Sequence, residues 1–341
     1  MKVITFGEIL LRLAPQGYKK LFQNDIFETS FCGAEANVAV SLANYGMESL
    51  FVTKVPDNEV GQAAINSLRY FGVDISKVVK GGERLGLYYL EKGASQRPSK
   101  VLYDRANSAI ANSNVEDFNW DQIFYGVEWF HFTGINPALS ENMYRISMEA
   151  CKSAKKKGIT VSCDINFRSK LWTKDEAKQS MTELMKYVDV CIGNEEDAES
   201  VFGIKADNTD VINGCIDHKR YGKVEKKISD IFGCKYVAMS LRTSLSASKN
   251  KWAGMIYSAE VDKYFLSKEY TIDIVDRVGS GDSFAAGIIY SLMNGYEGQD
   301  AVEFAVAASC LKHTQEGDFN RITIKEVDNL INGDTSGRIK R

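Results

Sequence analysis

The stretch TIDIVDRVGSGDSFAAGIIYSL, residues 271–292, changes its pattern twice, and those changes decide the fold. Apolar residues first alternate (Ile272, Ile274, Val278), as at the end of a half-buried strand. Gly279-Ser280-Gly281-Asp282 follows, then an apolar run over 284–292 that is rich in Ala at its start and suits a buried helix. Glycines between a strand and a helix let the backbone turn tightly and aim its N–H groups at one point. The positive end of the helix dipole lies there too, so such a turn accepts an anion. A carboxylate at its mouth, Asp282, suits a base that takes a proton from a hydroxyl while the amides hold a phosphoryl group. The plainer alternative is an Asp N-cap after a glycine turn.

Working outward, strands alternate with helices. VITFG (3–7) is strand-like, and CGAEANVAVSLA (32–43) is a helix of small residues closed by Gly46. A strand over 50–53 and a helix over 60–71 continue the series, which implies a parallel sheet with helices on both faces. Residues 14–31 carry aromatics and read as loop or edge strand. The alternation breaks at 86–91 and 100–104, two strand-like runs with a polar connection containing Gly and Pro. They form an antiparallel hairpin outside the main sheet, either a lid that keeps water from a reactive phosphate or a plain surface hairpin. Alternation resumes with strands at 129–132, 160–165 and 188–192 and helices at 140–157 and 174–186. Asn194-Glu195-Glu196-Asp197 opens a short helix, where polar and acidic residues suit cap and dipole. The charged segment 207–233 reads as a loop and a helix over 222–231. A strand at 236–241 leads into Arg242, a β-meander covers 252–265, and helices over 299–314 and 324–331 finish the fold. One domain over 1–335 is expected, with lid segments at about 14–32 and 84–106 and a frayed tail at 336–341.

Composition narrows the function. With 341 residues, 44% of them hydrophobic, the chain can bury a sizeable core, and a net charge of −3 gives no basic excess for nucleic acid or an anionic membrane. No apolar run reaches about 18 residues and no signal peptide is visible, so a cytoplasmic location is expected. The seven cysteines (32, 151, 163, 191, 215, 234, 310) contain no C-x-x-C and read as reduced, packed thiols. There is no P-loop, no complete dinucleotide fingerprint (Phe284 stands where its third glycine belongs) and no G-x-S-x-G elbow. The histidines at 131, 218 and 313 match no metal spacing.

Two motifs, one near each end, resemble the ribokinase-like (PfkB) family of carbohydrate kinases. Gly33-Ala34-Glu35-Ala36-Asn37-Val38-Ala39 is similar to the family's first motif, and Asp276-x-x-Gly279-Ser280-Gly281-Asp282-Ser283-Phe284 to its second. The resemblance implies a three-layer α/β/α sandwich with a mostly parallel central sheet and a small β lid. It makes Asp282 the base, with amides of Gly279, Ser280 and Gly281 as the anion hole, and puts Gly33, Asn37 and Asp318 on the substrate side. Within the family, GASQRPSKVLYDR (93–105) and DINFR (164–168) are similar to the branch that phosphorylates 2-keto-3-deoxygluconate at its C6 hydroxyl. That likeness puts Tyr89, Tyr103 and Arg105 on the lid facing the substrate, with Arg168 reaching it from a strand end. The chemistry agrees, because a sugar acid carries a carboxylate that an arginine fork matches. Asn194, Ser240, Arg242, Ala308 and His313 are implied on the nucleotide side, and Asp197 serves Mg²⁺ through water. The chain departs from the family at Arg277-Val278, where a small residue and Thr are usual, at Cys32 in place of glycine, and at Asp197, a shorter carboxylate than usual.

The resemblance thus implies ATP and Mg²⁺, leaves room for a monovalent cation, and makes a sugar acid and ATP the small-molecule partners. A homo-oligomer built on exposed apolar lid edges is a further expectation. Two rivals stay open. One is a family kinase for fructose, 2-ketogluconate or another acceptor; the other is a non-catalytic sugar-binding sensor, since fold does not fix function.

Overall fold

The computed structural model describes residues 1–205 and 218–334. β1 (Lys2–Phe6), β2 (Leu10–Pro15), β3 (Phe27–Cys32) and α1 (Ala34–Asn44) open the chain. β4 (Glu48–Val52), β5 (Lys54–Val55), α2 (Glu59–Tyr70) and β6 (Val79–Lys80) follow. β7 (Gly86–Glu91) and β8 (Lys100–Asp104) make the hairpin, and α3 (Trp120–Ile123) leads to β9 (Trp129–Thr133). Next come α4 (Ile135–Leu139), α5 (Glu141–Lys156), β10 (Thr160–Asp164), α6 (Lys174–Met185), β11 (Val190–Gly193) and α7 (Glu195–Phe202). The last part holds α8 (His218–Phe232), β12 (Tyr236–Ser246), β13 (Lys249–Ser258), β14 (Lys263–Leu266) and β15 (Tyr270–Asp273). α9 (Ser280–Met293), α10 (Gly298–Lys312) and α11 (Ile324–Ile331) end it.

The main sheet has the order β14-β13-β12-β11-β10-β9-β1-β4. Every step from β12 to β4 is parallel, and β13 pairs antiparallel with β12, β14 and β15. Because side chains alternate along a strand, each strand feeds two cores. Ile4 and Phe6 join Phe130, Phe132, Met143 and Met181 under α5 and α6. Val3 joins Trp129, Ile192, Phe284, Ile288 and Val306 under α1, α9 and α10. The result is a three-layer α/β/α sandwich with a mostly parallel central sheet, as expected.

Local signals place the helices. Ser140 caps α5 by accepting the Met143 amide, and Thr173 and Glu176 close a capping box on α6. α9 and α10 lie unusually close: a Cβ on Gly287 would fall 2.5 Å from the Ala305 Cα. Any larger residue there forces the two helices apart and opens the core beneath them.

A second sheet stands outside the sandwich, in the order β3-β2-β7-β8. The β7–β8 hairpin is antiparallel as expected, with Tyr88 opposite Tyr103. The partner strand begins at Leu10, before the boundary expected near residue 14, and β2 runs parallel to β7. α8 begins at His218, earlier than 222. Residues 206–217, with Cys215 and most of the loop expected from 207, and residues 335–341, with the tail expected over 336–341, lie outside the described residues. Cys32, Cys151, Cys163, Cys191, Cys234 and Cys310 are free and buried. Among the described residues no helix is long and apolar enough to cross a membrane.

Candidate active site

The carboxyl ends of parallel strands in such a sheet face a common crevice, where ligands of α/β folds usually bind. Here Glu8 follows β1, Asp164 ends β10, Asn166 and Arg168 lie just beyond it, Asn194 follows β11, and Ser240 and Arg242 sit on β12. All of these line one cavity of about 590 Å³, which the N-terminal turns of α1 and α9 also enter.

The 276–282 turn is fixed from several sides. Gly279 is the N-cap of α9 with φ 82°, a left-handed conformation that favours glycine. A Cβ on it would also lie 2.2 Å from the Asp318 carbonyl oxygen, so space demands glycine as well. The Asp276 Oδ1 accepts the Val278 N–H at 3.2 Å, and the Ser280 hydroxyl donates to the Arg277 carbonyl at 2.8 Å. Behind the turn, Arg12 from β2 donates to Asp276 Oδ2 at 2.7 Å and to Asp318 Oδ1 at 2.5 Å. The Tyr88 hydroxyl donates to Asp318 Oδ2 at 2.7 Å. Gly279, Ser280 and Gly281 line the cavity at the start of α9, where amides lack intrahelical acceptors, and the Ser280 amide donates to the Arg277 carbonyl at 3.4 Å.

Asp282 is not the cap. It lies within the first turn, no side chain caps α9, and its Oδ2 accepts the Asn37 Nδ2–H at 2.6 Å. Enclosure in the site pushes its pKa up to about 6, while the Asn37 bond and the charge of Arg168 pull it down. The first motif is therefore joined directly to the second. Gly33, the N-cap of α1, approaches the Glu8 carbonyl so closely that a Cβ would stand 2.0 Å from its oxygen.

Other carboxyls of the cavity are perturbed by the same cause. Burial raises Glu35 to about 7 against its hydrogen bond from the Thr133 hydroxyl at 2.6 Å, and burial lifts Asp164 well above the usual range. Asn194 caps α7 by accepting the Asp197 amide at 2.9 Å, and its Nδ2–H donates to Asp197 Oδ2 at 2.9 Å. The other Asp197 oxygen accepts the Phe167 amide at 3.2 Å, and burial raises this carboxyl to about 6. Among the described residues no group of three or more His, Cys, Asp and Glu could hold a metal ion directly.

Of the residues singled out from sequence, Gly33, Asn37, Tyr103, Arg105, Arg168, Asn194, Asp197, Ser240, Arg242, Asp318 and 279–282 all line the cavity. Three do not. Tyr89, expected to face the substrate, lies on the opposite face of β7 and packs against Phe22 and Phe27 at 6.2 and 6.1 Å between ring centroids. Its neighbour Tyr88 lines the cavity instead, its ring 5.9 Å from that of Tyr103. Ala308 and His313, expected on the nucleotide wall, do not line the cavity. Ala308 is buried in the α9–α10 core, and His313 bonds the Ser309 carbonyl at 2.7 Å while its ring packs 4.9 Å from Trp252, which lines the cavity. Arg105 lines the cavity already paired, its Nε and Nη2 both donating to Glu8 Oε2. Among the described residues Arg168 makes one hydrogen bond, from Nη1 to the Phe167 carbonyl at 3.2 Å, and no ion pair, so its fork is available.

Glu8 and Tyr88, which line the cavity, and Arg12, which holds the turn from behind, were not singled out from sequence, and Asp276 entered only as the first residue of the second motif. A lone arginine within the apolar run 9–14 is the signal that marked Arg12, since a charge in such a run needs a buried partner.

A glycine turn at a helix N-terminus with a carboxylate at its mouth, at the carboxyl edge of a parallel sheet, defines a phosphotransferase site. The model of the pfkB family of carbohydrate kinases matches residues 1–222 and 252–324, and the chain belongs to that family. It is similar to the solved 2-dehydro-3-deoxygluconokinase of Thermotoga maritima, with 48% identity, coverage of 98% of this chain and 100% of that one, and a TM-score of 0.94. The 2-dehydro-3-deoxygalactonokinase of Haloferax volcanii is 28% identical over 98% of both chains. An E. coli structure described as a ribokinase II, in complex with ATP and Mg²⁺, shares the fold at 20% identity and TM-score 0.79, over 97% of this chain and 99% of that one.

Proposed function

We propose that the protein transfers the γ-phosphoryl group of ATP to the C6 hydroxyl of 2-keto-3-deoxygluconate. The observation that carries the reading is the Asp282 carboxylate, held by Asn37 at the mouth of the Gly279–Gly281 turn, in a cavity that also presents Arg168. In the step, the C6 oxygen bonds to the γ-phosphorus, the bond to the β,γ-bridging oxygen breaks, the hydroxyl proton passes to Asp282, and ADP leaves. Such transition states are loose, so positioning and charge stabilisation do most of the work. Amides of Gly279, Ser280 and Gly281 face the charge on the transferred group.

Arg168 is the cation for the substrate carboxylate, because Arg105 is committed to Glu8. Tyr103 and the buried Glu8 Oε1, which has no hydrogen-bond partner among the described residues, suit the sugar hydroxyls. The small β sheet acts as the lid. Asn194, Ser240 and Arg242 border the nucleotide. Asp197 is an enclosed carboxylate whose two oxygens already accept hydrogen bonds, which fits a cation held through water better than direct ligation. Bound there, Mg²⁺ would neutralise phosphate charge.

The relatives support a sugar acid as acceptor, and their names differ in the configuration of the acid. A coupled ADP-release assay with 2-keto-3-deoxygluconate, its galactonate epimer, fructose and 2-ketogluconate tests this. Preference for 2-keto-3-deoxygluconate is expected. Faster turnover of an uncharged sugar would refute the acid reading, and no acceptor-dependent ADP release at all would favour a sugar-binding sensor.

A further inference from the structure

We propose that Arg277 is a ligand of the nucleotide's polyphosphate chain, acting with Arg242 as a two-guanidinium clamp beside the anion turn. The proposal rests on the ATP-dependent reading above, and the residue belongs to no role described so far.

Arg277 stands two positions before the N-cap glycine of α9 and lines the cavity, as does Arg242 on β12. One end of its guanidinium is anchored, because Nη2–H donates to the Ala247 carbonyl, in the turn between β12 and β13, at 3.0 Å. Its Nε–H is shut from solvent and has no acceptor among the described residues. A buried donor without a partner is uncommon and points to an acceptor that binds.

Charge leads to the same place. Neither Arg242 nor Arg277 forms an ion pair among the described residues. The adjacent carboxylate, Asp276, is already occupied by Arg12 and by the Val278 and Gly317 amides. Burial, and then the charge of Arg242, lower the pKa of Arg277, so the two cations feel one another. Asp276 acts on Arg277 through charge and Asp197 feels Arg242, but two guanidiniums that line one cavity with no ion pair among the described residues suit an anion carrying several charges. A sugar acid brings one, which the proposed function assigns to Arg168. A nucleoside triphosphate brings several, with oxygens spaced for a planar fork. The clamp would hold the chain of phosphates while the glycine amides hold the group in flight.

A bare structural role, in which Arg277 only pins the β12–β13 turn to the 276–282 segment, predicts something different. The test is calorimetric titration of the full chain with inorganic tripolyphosphate and with adenosine, alongside steady-state kinetics, for wild type, Arg277→Met and Arg277→Lys. The clamp predicts that Arg277→Met weakens tripolyphosphate and raises the ATP KM by at least ~10-fold, leaving adenosine affinity and the sugar-acid KM within about twofold. Arg277→Lys recovers part of the loss, having the charge without the fork. Unchanged tripolyphosphate affinity in Arg277→Met overturns the proposal. So does an equal loss for tripolyphosphate and adenosine with a lowered melting temperature, the mark of a loosened hairpin. If wild type turns over no sugar acid, the proposed reaction fails, while tripolyphosphate binding still judges the clamp.

Discussion

Asn37→Ala separates the catalytic reading of Asp282 from every other carboxyl in the cavity. Asp282 has a pKa of about 6 and Asp197 has the same value, so an acid limb near pH 6 in kcat/KM names neither by itself. Asn37 touches only one of them, donating to Asp282 Oδ2 at 2.6 Å. A hydrogen bond to a charged group contributes about 1.5–3 kcal/mol. Water entering from the cavity restores part of it, so a net loss near 1.4 kcal/mol, about one pKa unit, is expected. The bond favours the carboxylate, so its loss raises the pKa and moves the limb upward, from about 6 to about 7. At pH 6 the base would then be about one-eleventh ionised where wild type is half ionised, a loss of about fivefold, while at pH 8 the ionisation loss nearly vanishes. Any weakening of substrate binding is an offset common to all pH values. The assay is kcat/KM for the sugar acid from pH 5 to 9 at saturating ATP. A limb that stays near 6 in Asn37→Ala, or moves down, refutes Asp282 as the group whose ionisation controls the rate.

Asp282→Asn should retain the fold and bind ATP yet lose at least ~10² in kcat, as expected when a positioned base is removed; near-normal turnover would end the assignment. Arg168→Ala should cost more with the sugar acid than with an uncharged analogue, and equal losses in a paired kinetic comparison would count against carboxylate recognition. Arg105→Ala behaves differently, because it leaves Glu8 buried and unpaired, so a lowered denaturation midpoint accompanies its kinetic loss. Arg12→Met strands Asp276 and Asp318 without their cation and should cost about 3–5 kcal/mol in urea unfolding; a change under about 1 kcal/mol would mean the network contributes little.

What was legible in the sequence was local or repeated. The strand–glycine–helix transition at 271–292 gave the turn, the small residues of 32–43 gave α1, and the alternation of strands and helices gave the parallel sheet. What escaped depends on distant register or helix phase. Tyr88 and Tyr89 are adjacent, and which one faces the cavity is settled only when β7 pairs with β2 and β8. Tyr103 could be placed, yet the parity of its partner could not. Ala308 and His313 occupy a helix buried nearly all round, so periodicity offered no face to choose. Arg12 meets partners 264 and 306 positions away, and no window of sequence contains both.

That arginine also explains why the small sheet and the reaction turn belong to one mechanism. Arg12 is on β2 and Tyr88 on β7, the two central strands of the small sheet. Through Asp276 and Asp318 they grip both sides of the segment whose Gly279 lies against the Asp318 backbone. Asp318 is thus held on its side chain by the small sheet while its carbonyl limits the turn. A displacement of β2 or β7 would have to break charge-assisted bonds in a site with almost no solvent, which is costly. The centre of the sheet is therefore fixed to the turn, and a movement admitting substrate would fall to an outer strand such as β8, whose Lys100, Leu102, Tyr103 and Asp104 are exposed. On the proposed function, Tyr103 would be a substrate contact carried by that outer strand, and Tyr88 a cavity residue carried by the fixed strands. Hydrogen exchange should follow that division, with amides of β8 exchanging faster than those of β2 and β7 and gaining protection when the sugar acid binds. Equal protection across the four strands before binding would show that the small sheet moves as one piece or not at all.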